Sequence, residues 1–202
     1  QFIINSNSAG DTIDGGAHAS TGIGDALKLA TSYDLSSLSF TNIESLMGAS
    51  TNVVATLTEG QFNSLTNFDG LSVRVTEGSA ITLGSKNFLN GAQVSGSGIT
   101  VTAGNAAANE VTFTGGDNTY TGGDGAEKVT SGSGDDTLTM GAGNDTVIDA
   151  GGDNTISMGD GKDYLMLSGI IAGENNVDLG ANDDTLRFDA AVAVSSSGTI
   201  EG

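Results

Sequence analysis

Cysteine, proline and tryptophan are all absent from this 202-residue chain. It has one histidine, His18, and only six basic residues. Without cysteine there can be no disulfide staples and no zinc–thiolate centre. With Arg74, Arg187 and four lysines, a phosphate-binding surface for nucleic acid lacks its material. A lone histidine in a loop-like segment, with no nucleophile elbow around any serine, gives no support to an acyl-transfer triad. The helical zinc motif of metalloproteases is missing too. Aromatics are 5% of the chain, so a deep core of large side chains is not expected. No apolar run reaches the length of a membrane span. The chain opens at Gln1 with no signal-peptide pattern, as expected of a mature or excised portion of something longer.

What is abundant is glycine, 32 of 202 residues, and acid, 25 Asp and Glu for a formal charge of −19. So much glycine without proline fits repeated tight turns better than a linker. The acidity points to cations: an apo chain repels itself, and bound divalent ions would remove that repulsion.

Cut in nines from residue 113, the sequence repeats: FTGGDNTYT, GGDGAEKVT, SGSGDDTLT, MGAGNDTVI, DAGGDNTIS and MGDGKDYLM. The insert Leu167-Ser168-Gly169 breaks the phase, which resumes with IIAGENNVD and LGANDDTLR. Position six is always an acid or its amide: Asn118, Glu127, Asp136, Asp145, Asn154, Asp163, Asn175, Asp184. Position eight is always apolar or aromatic: Tyr120, Val129, Leu138, Val147, Ile156, Leu165, Val177, Leu186. Asp, Asn and Gly also favour turns without any metal. Their recurrence in phase, with glycine at most fourth positions, weighs against that simpler reading.

Upstream the register fades. Residues 104–112 match only at positions six and eight. Residues 33–57 and 71–83 read as short strands, VRVTEGSAITL alternating with period two. Thr58-Glu59-Gly60-Gln61 has capping-box form ahead of Phe62, Leu65 and Phe68, which predicts a helix near 58–67 packed on the strands. Residues 84–103 read as loop and irregular strand.

The units of residues 113–187 resemble the RTX (repeat-in-toxin) nonapeptide G-G-x-G-x-D-x-U-x. A weaker echo lies at Ala9-Gly10-Asp11-Thr12-Ile13-Asp14-Gly15-Gly16 and Gly24-Asp25-Ala26-Leu27-Lys28-Leu29. The resemblance implies an all-β parallel β-roll or β-solenoid, each unit a six-residue turn and a three-residue strand. It implies several Ca²⁺ ions held by turn carbonyls and inward position-six side chains. The expected metal-binding residues are Glu127, Asp145, Asp163, Asp184, Asp136, Asn118, Asn154, Asp11 and Asp25. Carbonyls near Gly123, Gly125, Gly132, Gly134, Gly141, Gly143, Gly159 and Gly161 would complete the shells.

One coil takes two nonapeptides, so successive repeats fall on opposite edges. One edge then carries Glu127, Asp145, Asp163 and Asp184. The other carries Asn118, Asp136, Asn154 and Asn175, where Asn can stack without metal. We expect a calcium column on the first edge and mainly an Asn ladder on the second. Acids at position five of the Asn edge (Asp117, Asp135, Asp153, Glu174) should point outward.

Chain 1–202 is expected to form one elongated solenoid, irregular over 1–103, regular over 104–187, and closed by a C-terminal end at 188–202. The function expected is non-enzymatic: an extracellular or cell-surface structural segment of an adhesin, S-layer or biofilm matrix, exported by type I secretion. It would fold on Ca²⁺ outside the cell and could self-associate or hold a glycan or cell-surface partner. The alternative is the folding and secretion module of an exported enzyme or toxin. A second is an ice- or glycan-binding module, because Thr119/Thr121, Thr137/Thr139 and Thr155/Ser157 form Thr-x-Thr rows. Threonine is also simply a good strand former. Scattered Tyr33, Tyr120 and Tyr164 give a lyase no clustered site, and Met140, Met158 and Met166 are expected to fill gaps in a thin core.

Overall fold

A computed structural model describes residues 2–4, 12–14, 25–84, 86–89, 93–104, 110–168, 171–173, 175–189, 194–196 and 199–202. The protein is a parallel β-solenoid with one short helix. Its strands are mostly three or four residues long and pair in register with the strands one coil away. The chain divides into two compact units: Gln1–Ser79 with Ser85–Ser95, and Ala80–Gly84 with Gly96–Gly202.

In the first unit, Ala26–Leu29, Ser45–Gly48, Asn67–Asp69 and Asn87–Leu89 stack as one parallel sheet. Tyr33–Asp34, Val54–Leu57, Ser72–Val75 and Gln93–Ser97 stack as another. Alternation places Leu27, Leu29, Leu46, Phe68, Ala55, Leu57, Val73 and Val75 in the core. The helix runs Glu59–Ser64, with the capping box read from the sequence formed by Thr58 and Gln61. It is shorter than expected. Leu65 already has extended backbone, and Phe68 lies on the following strand. Phe68 nevertheless reaches back to stack on Phe62, ring centroids 5.0 Å apart. Lys86 donates to the carbonyls of Asn63 and Leu65 at 2.9 and 2.6 Å, satisfying the helix end. The buried Gln61 amide donates to the Leu35 and Leu38 carbonyls and ties the helix to the coil before it.

In the second unit one sheet stacks Ala80–Thr82, Thr100–Thr102, Thr119–Thr121, Thr137–Thr139, Thr155–Ser157, Asn176–Asp178 and Ile200–Glu201. The other includes Glu110–Gly115, Lys128–Thr130, Thr146–Asp149, Tyr164–Leu167 and Thr185–Phe188. The segment expected to be loop and irregular strand, 84–103, thus contains the strands Asn87–Leu89, Gln93–Ser97 and Thr100–Thr102. Position eight packs the core as expected: Tyr120, Val129, Leu138, Val147, Ile156, Leu165 and Val177 are buried. Each such side chain contributes about 1.5–3 kcal/mol by leaving water. Met140 and Met158 are buried beside them, whereas Met166 sits on the outer face of its strand.

Turn geometry explains the glycine content. Gly143, at position four, has φ 128°, and a Cβ there would collide with the Gly125 carbonyl oxygen one coil earlier. Asn182 takes the same turn position with φ 90°, a conformation asparagine tolerates better than most residues.

Candidate metal centre

Each position-six side chain enters the coil at the end of its turn, one residue before a strand. Because the following strands are in register, these side chains stack at the inter-strand spacing of about 4.8 Å. Seven of the eight, Asn118, Glu127, Asp136, Asp145, Asn154, Asp163 and Asn175, are buried; Asp184 is half-buried.

On the carboxylate edge the stack is a continuous ladder. The Glu127 N–H donates to Asp145 Oδ1 at 2.7 Å, Asp145 N–H to Asp163 Oδ1 at 2.8 Å, and Asp163 N–H to Asp184 Oδ1 at 2.9 Å. One oxygen of each aspartate is thereby used. The remaining oxygens, Asp145 Oδ2 and Asp163 Oδ2, and both oxygens of Glu127, are buried without a hydrogen-bond partner. The Lys128–Glu110 pair (2.7 Å) and the Lys162–Asp183 pair (3.2 Å) lie on the exposed surface and neutralise neither Asp145 nor Asp163. Burial pushes the Glu127 carboxyl up to about 8, with the Asp145 charge adding to it. Burial likewise raises Asp145 and Asp163. A file of buried acids with orphaned oxygens must hold either protons or cations.

The Asn edge is built from the same ladder with a different ending. The Ile99 N–H donates to Asn118 Oδ1, Asn118 N–H to Asp136 Oδ1, Asp136 N–H to Asn154 Oδ1, and Asn154 N–H to Asn175 Oδ1, at 2.7–3.0 Å. Here the second polar atom is an amide nitrogen with partners. Asn118 Nδ2 donates to the Gly116 carbonyl at 2.6 Å and to Asp136 Oδ1 at 2.8 Å. Asn154 Nδ2 donates to Asp149 Oδ1 at 2.9 Å. The amide nitrogen supplies protons where a cation would supply charge. Asp136 keeps one orphaned oxygen, Oδ2, and burial raises its carboxyl. The acids at position five face outward as expected: Asp117, Asp135 and Asp153 are exposed. They form an outer ladder, Asp135 N–H to Asp117 Oδ1 and Asp153 N–H to Asp135 Oδ1, both 2.9 Å. Glu174 lies outside the described residues.

Asp11 lies outside the described residues. Asp25 donates its N–H to Glu44 Oε2 at 2.8 Å and is not in either ladder.

Two site residues escaped the sequence reading. Asp149, at position one of its unit, is buried, and its Oδ1 accepts from Ser131 Oγ, the Gly151 N–H and Asn154 Nδ2. Nothing in a pattern centred on position six marks it. Tyr120 was expected as core filler. Its hydroxyl is buried without a partner, and burial raises the phenol, with the Glu127 and Asp145 charges adding. Its hydroxyl is therefore within electrostatic reach of the carboxylate edge.

Among the described residues no three His, Cys, Asp or Glu side chains converge as a ready-made metal cluster. A cation on the carboxylate edge would therefore draw on turn carbonyls for the rest of its shell. Those of Gly125 and Gly143 face the next turn, where a Cβ on Gly143 or Gly161 would strike them. Carboxylate plus carbonyl oxygen is a hard donor set suited to Ca²⁺. No helix among the described residues is long and apolar enough to cross a membrane. Comparison with protein-family models, curated proteins and solved structures finds no match to this chain.

Proposed function

We propose that this chain is a non-enzymatic, extracellular structural segment of RTX type whose second unit takes up Ca²⁺ along the Glu127–Asp145–Asp163–Asp184 edge. The observation that carries the reading is the set of orphaned oxygens there: both of Glu127, Asp145 Oδ2 and Asp163 Oδ2. Buried carboxylates without a counter-charge cost several kcal/mol each unless protonated or metal-bound. Divalent ions between the rungs would remove that cost and couple ion binding to folding.

The two edges play different parts. The Asn edge is satisfied by side-chain amides and holds its turns without metal, Asp136 being the one place there for an ion. The acid edge holds the ions. A chain of charge −19 that is loosely folded in low calcium and stiffens in high calcium suits export and assembly at a cell surface.

Calcium titration into chelator-treated protein, followed by far-UV circular dichroism with magnesium as control, tests this. A cooperative gain of β-signal with calcium alone is expected. A protein fully folded in chelator and indifferent to calcium would refute it.

A further inference from the structure

The outward face of the Ala80–Thr82 to Thr155–Ser157 sheet carries two straight files of threonine. One runs Thr100, Thr119, Thr137, Thr155; the other runs Thr82, Thr102, Thr121, Thr139 and ends on Ser157. All eight threonines are exposed. Among the described residues none of their hydroxyls has a hydrogen bond within the protein. The parallel, in-register pairing sets the rungs about 4.8 Å apart and the two files about 6.6 Å apart. β-Branching restricts χ1, so hydroxyls and methyls are held in a fixed array before any partner arrives.

Two comparisons within the molecule argue that this array is not a by-product of strand preference. The same coils have a second sheet, and its outward positions are mixed: Glu110, Lys128, Thr146 and Tyr164 in one file, Thr112, Thr130, Ile148 and Met166 in the other. A need for strand formers on a wet face would fill both sheets alike. The array also outlasts the nonapeptide repeat. Thr82, Thr100 and Thr102 lie upstream of the regular repeats, yet the register is kept although coil length changes from Thr82 to Thr102, Thr102 to Thr121 and Thr121 to Thr139.

We infer that this face binds the surface of crystalline ice. The ten positions from Ala80 to Ser157 carry no charge, in a chain of net charge −19, so an ionic partner finds nothing to pair with. They carry no aromatic ring either, whereas a sugar surface is held by ring stacking. What remains is a neutral, in-register lattice of hydroxyls and methyls on a two-dimensional repeat of several ångströms. Water ordered between the files can continue into an ice lattice of similar repeat, each trapped water bridging hydroxyls. The patch stops where charge returns, at Asp178 and Glu201.

The test is thermal hysteresis and ice-crystal shaping by the folded protein, with three single variants. Thr121→Tyr places bulk at the centre of the face. Thr139→Lys adds charge there and is read in the same way should the first not fold. Thr112→Tyr is the control on the opposite sheet. Hysteresis and faceted crystals are expected for the wild type and Thr112→Tyr, and loss of both for the face variants, with unchanged circular dichroism and melting. Folded wild type without hysteresis or shaping overturns the inference, as does equal activity of Thr121→Tyr and Thr112→Tyr. So does sedimentation with microcrystalline cellulose or chitin that Thr121→Tyr abolishes while hysteresis is nil, which would assign the face to polysaccharide. The measurement needs only folded protein, so it stands whether or not calcium drives folding.

Discussion

Replacing Asp145 by asparagine should stabilise the metal-free protein and weaken its response to calcium. Asp145 is the middle of three buried acids, accepting from the Glu127 N–H and donating its own to Asp163. Asparagine keeps both bonds, since Oδ1 and the backbone are unchanged. The orphaned Oδ2 becomes an NH₂ beside Glu127, whose own oxygens lack partners. The opposite edge already pairs an amide with a neighbouring acid, though in the forward direction: Asn118 Nδ2 donates to Asp136 Oδ1 one rung on, at 2.8 Å. Two ionised carboxylates about 4.8 Å apart repel by about 3.5 kcal/mol at an effective dielectric constant of about 20. Because burial leaves Glu127 about half protonated near pH 8, about half of that repulsion is present, and the gain in chelator at that pH should be ~1–2 kcal/mol. In calcium the sign reverses: losing a single ion forfeits about 2.7 kcal/mol at a hundredfold excess over its dissociation constant. Urea unfolding of wild type and Asp145→Asn at pH 8, each in chelator and in calcium, measures both. A variant less stable than wild type in chelator, or one with an undiminished calcium increment, would refute the reasoning.

The same burial sets a pH dependence. Glu127, Asp145, Asp163 and Asp136 all have carboxyls raised in the folded state, chiefly by burial. The metal-free fold thus holds protons more tightly than the unfolded chain does, so its stability is fullest below about pH 4. It is lost as pH rises toward about 8, where Glu127 deprotonates; melting temperatures in chelator should fall across that window, and calcium should flatten the trend. Gly143→Ala, which puts a Cβ at φ 128° against the Gly125 carbonyl, should cost ~2–4 kcal/mol by urea unfolding. Thr58→Ala removes the helix cap and should cost ~1 kcal/mol while leaving the calcium increment unchanged, because its contacts lie in the first unit.

The repeat made the second unit readable because a turn position and a strand position recur together. The repeat and the resemblance it carries place Asn118 through Asp184 and Tyr120 through Leu186 inside, and all but the terminal Asp184 and Leu186 are buried. The helix start was readable because Thr58 and Gln61 are a local pair. Its end was not, because Phe68 satisfies helical spacing yet packs on Phe62 from a neighbouring strand. Within the segment read as loop and irregular strand, Asn87–Leu89 and Thr100–Thr102 could not be set apart from loop for a related reason. Three residues hold too little alternation to declare themselves, and their partners lie a whole coil away. The same distance hid the extension of the threonine files to Thr82. Asp149 is a product of one local cage rather than of the repeat, so no periodicity could mark it.

The insert at Leu167-Ser168-Gly169 makes one coil longer than the regular nonapeptide coils before it, yet the ladders continue across it. Asn154 N–H still meets Asn175 Oδ1, and Asp163 N–H still meets Asp184 Oδ1, both at 2.9 Å. The stack therefore counts rungs rather than residues: each inward side chain grips the backbone of the rung before it and resets the phase. Errors in spacing do not accumulate down the column. A lineage of such chains can gain or lose residues in its turns, and vary what those turns display, while every later rung still docks in line.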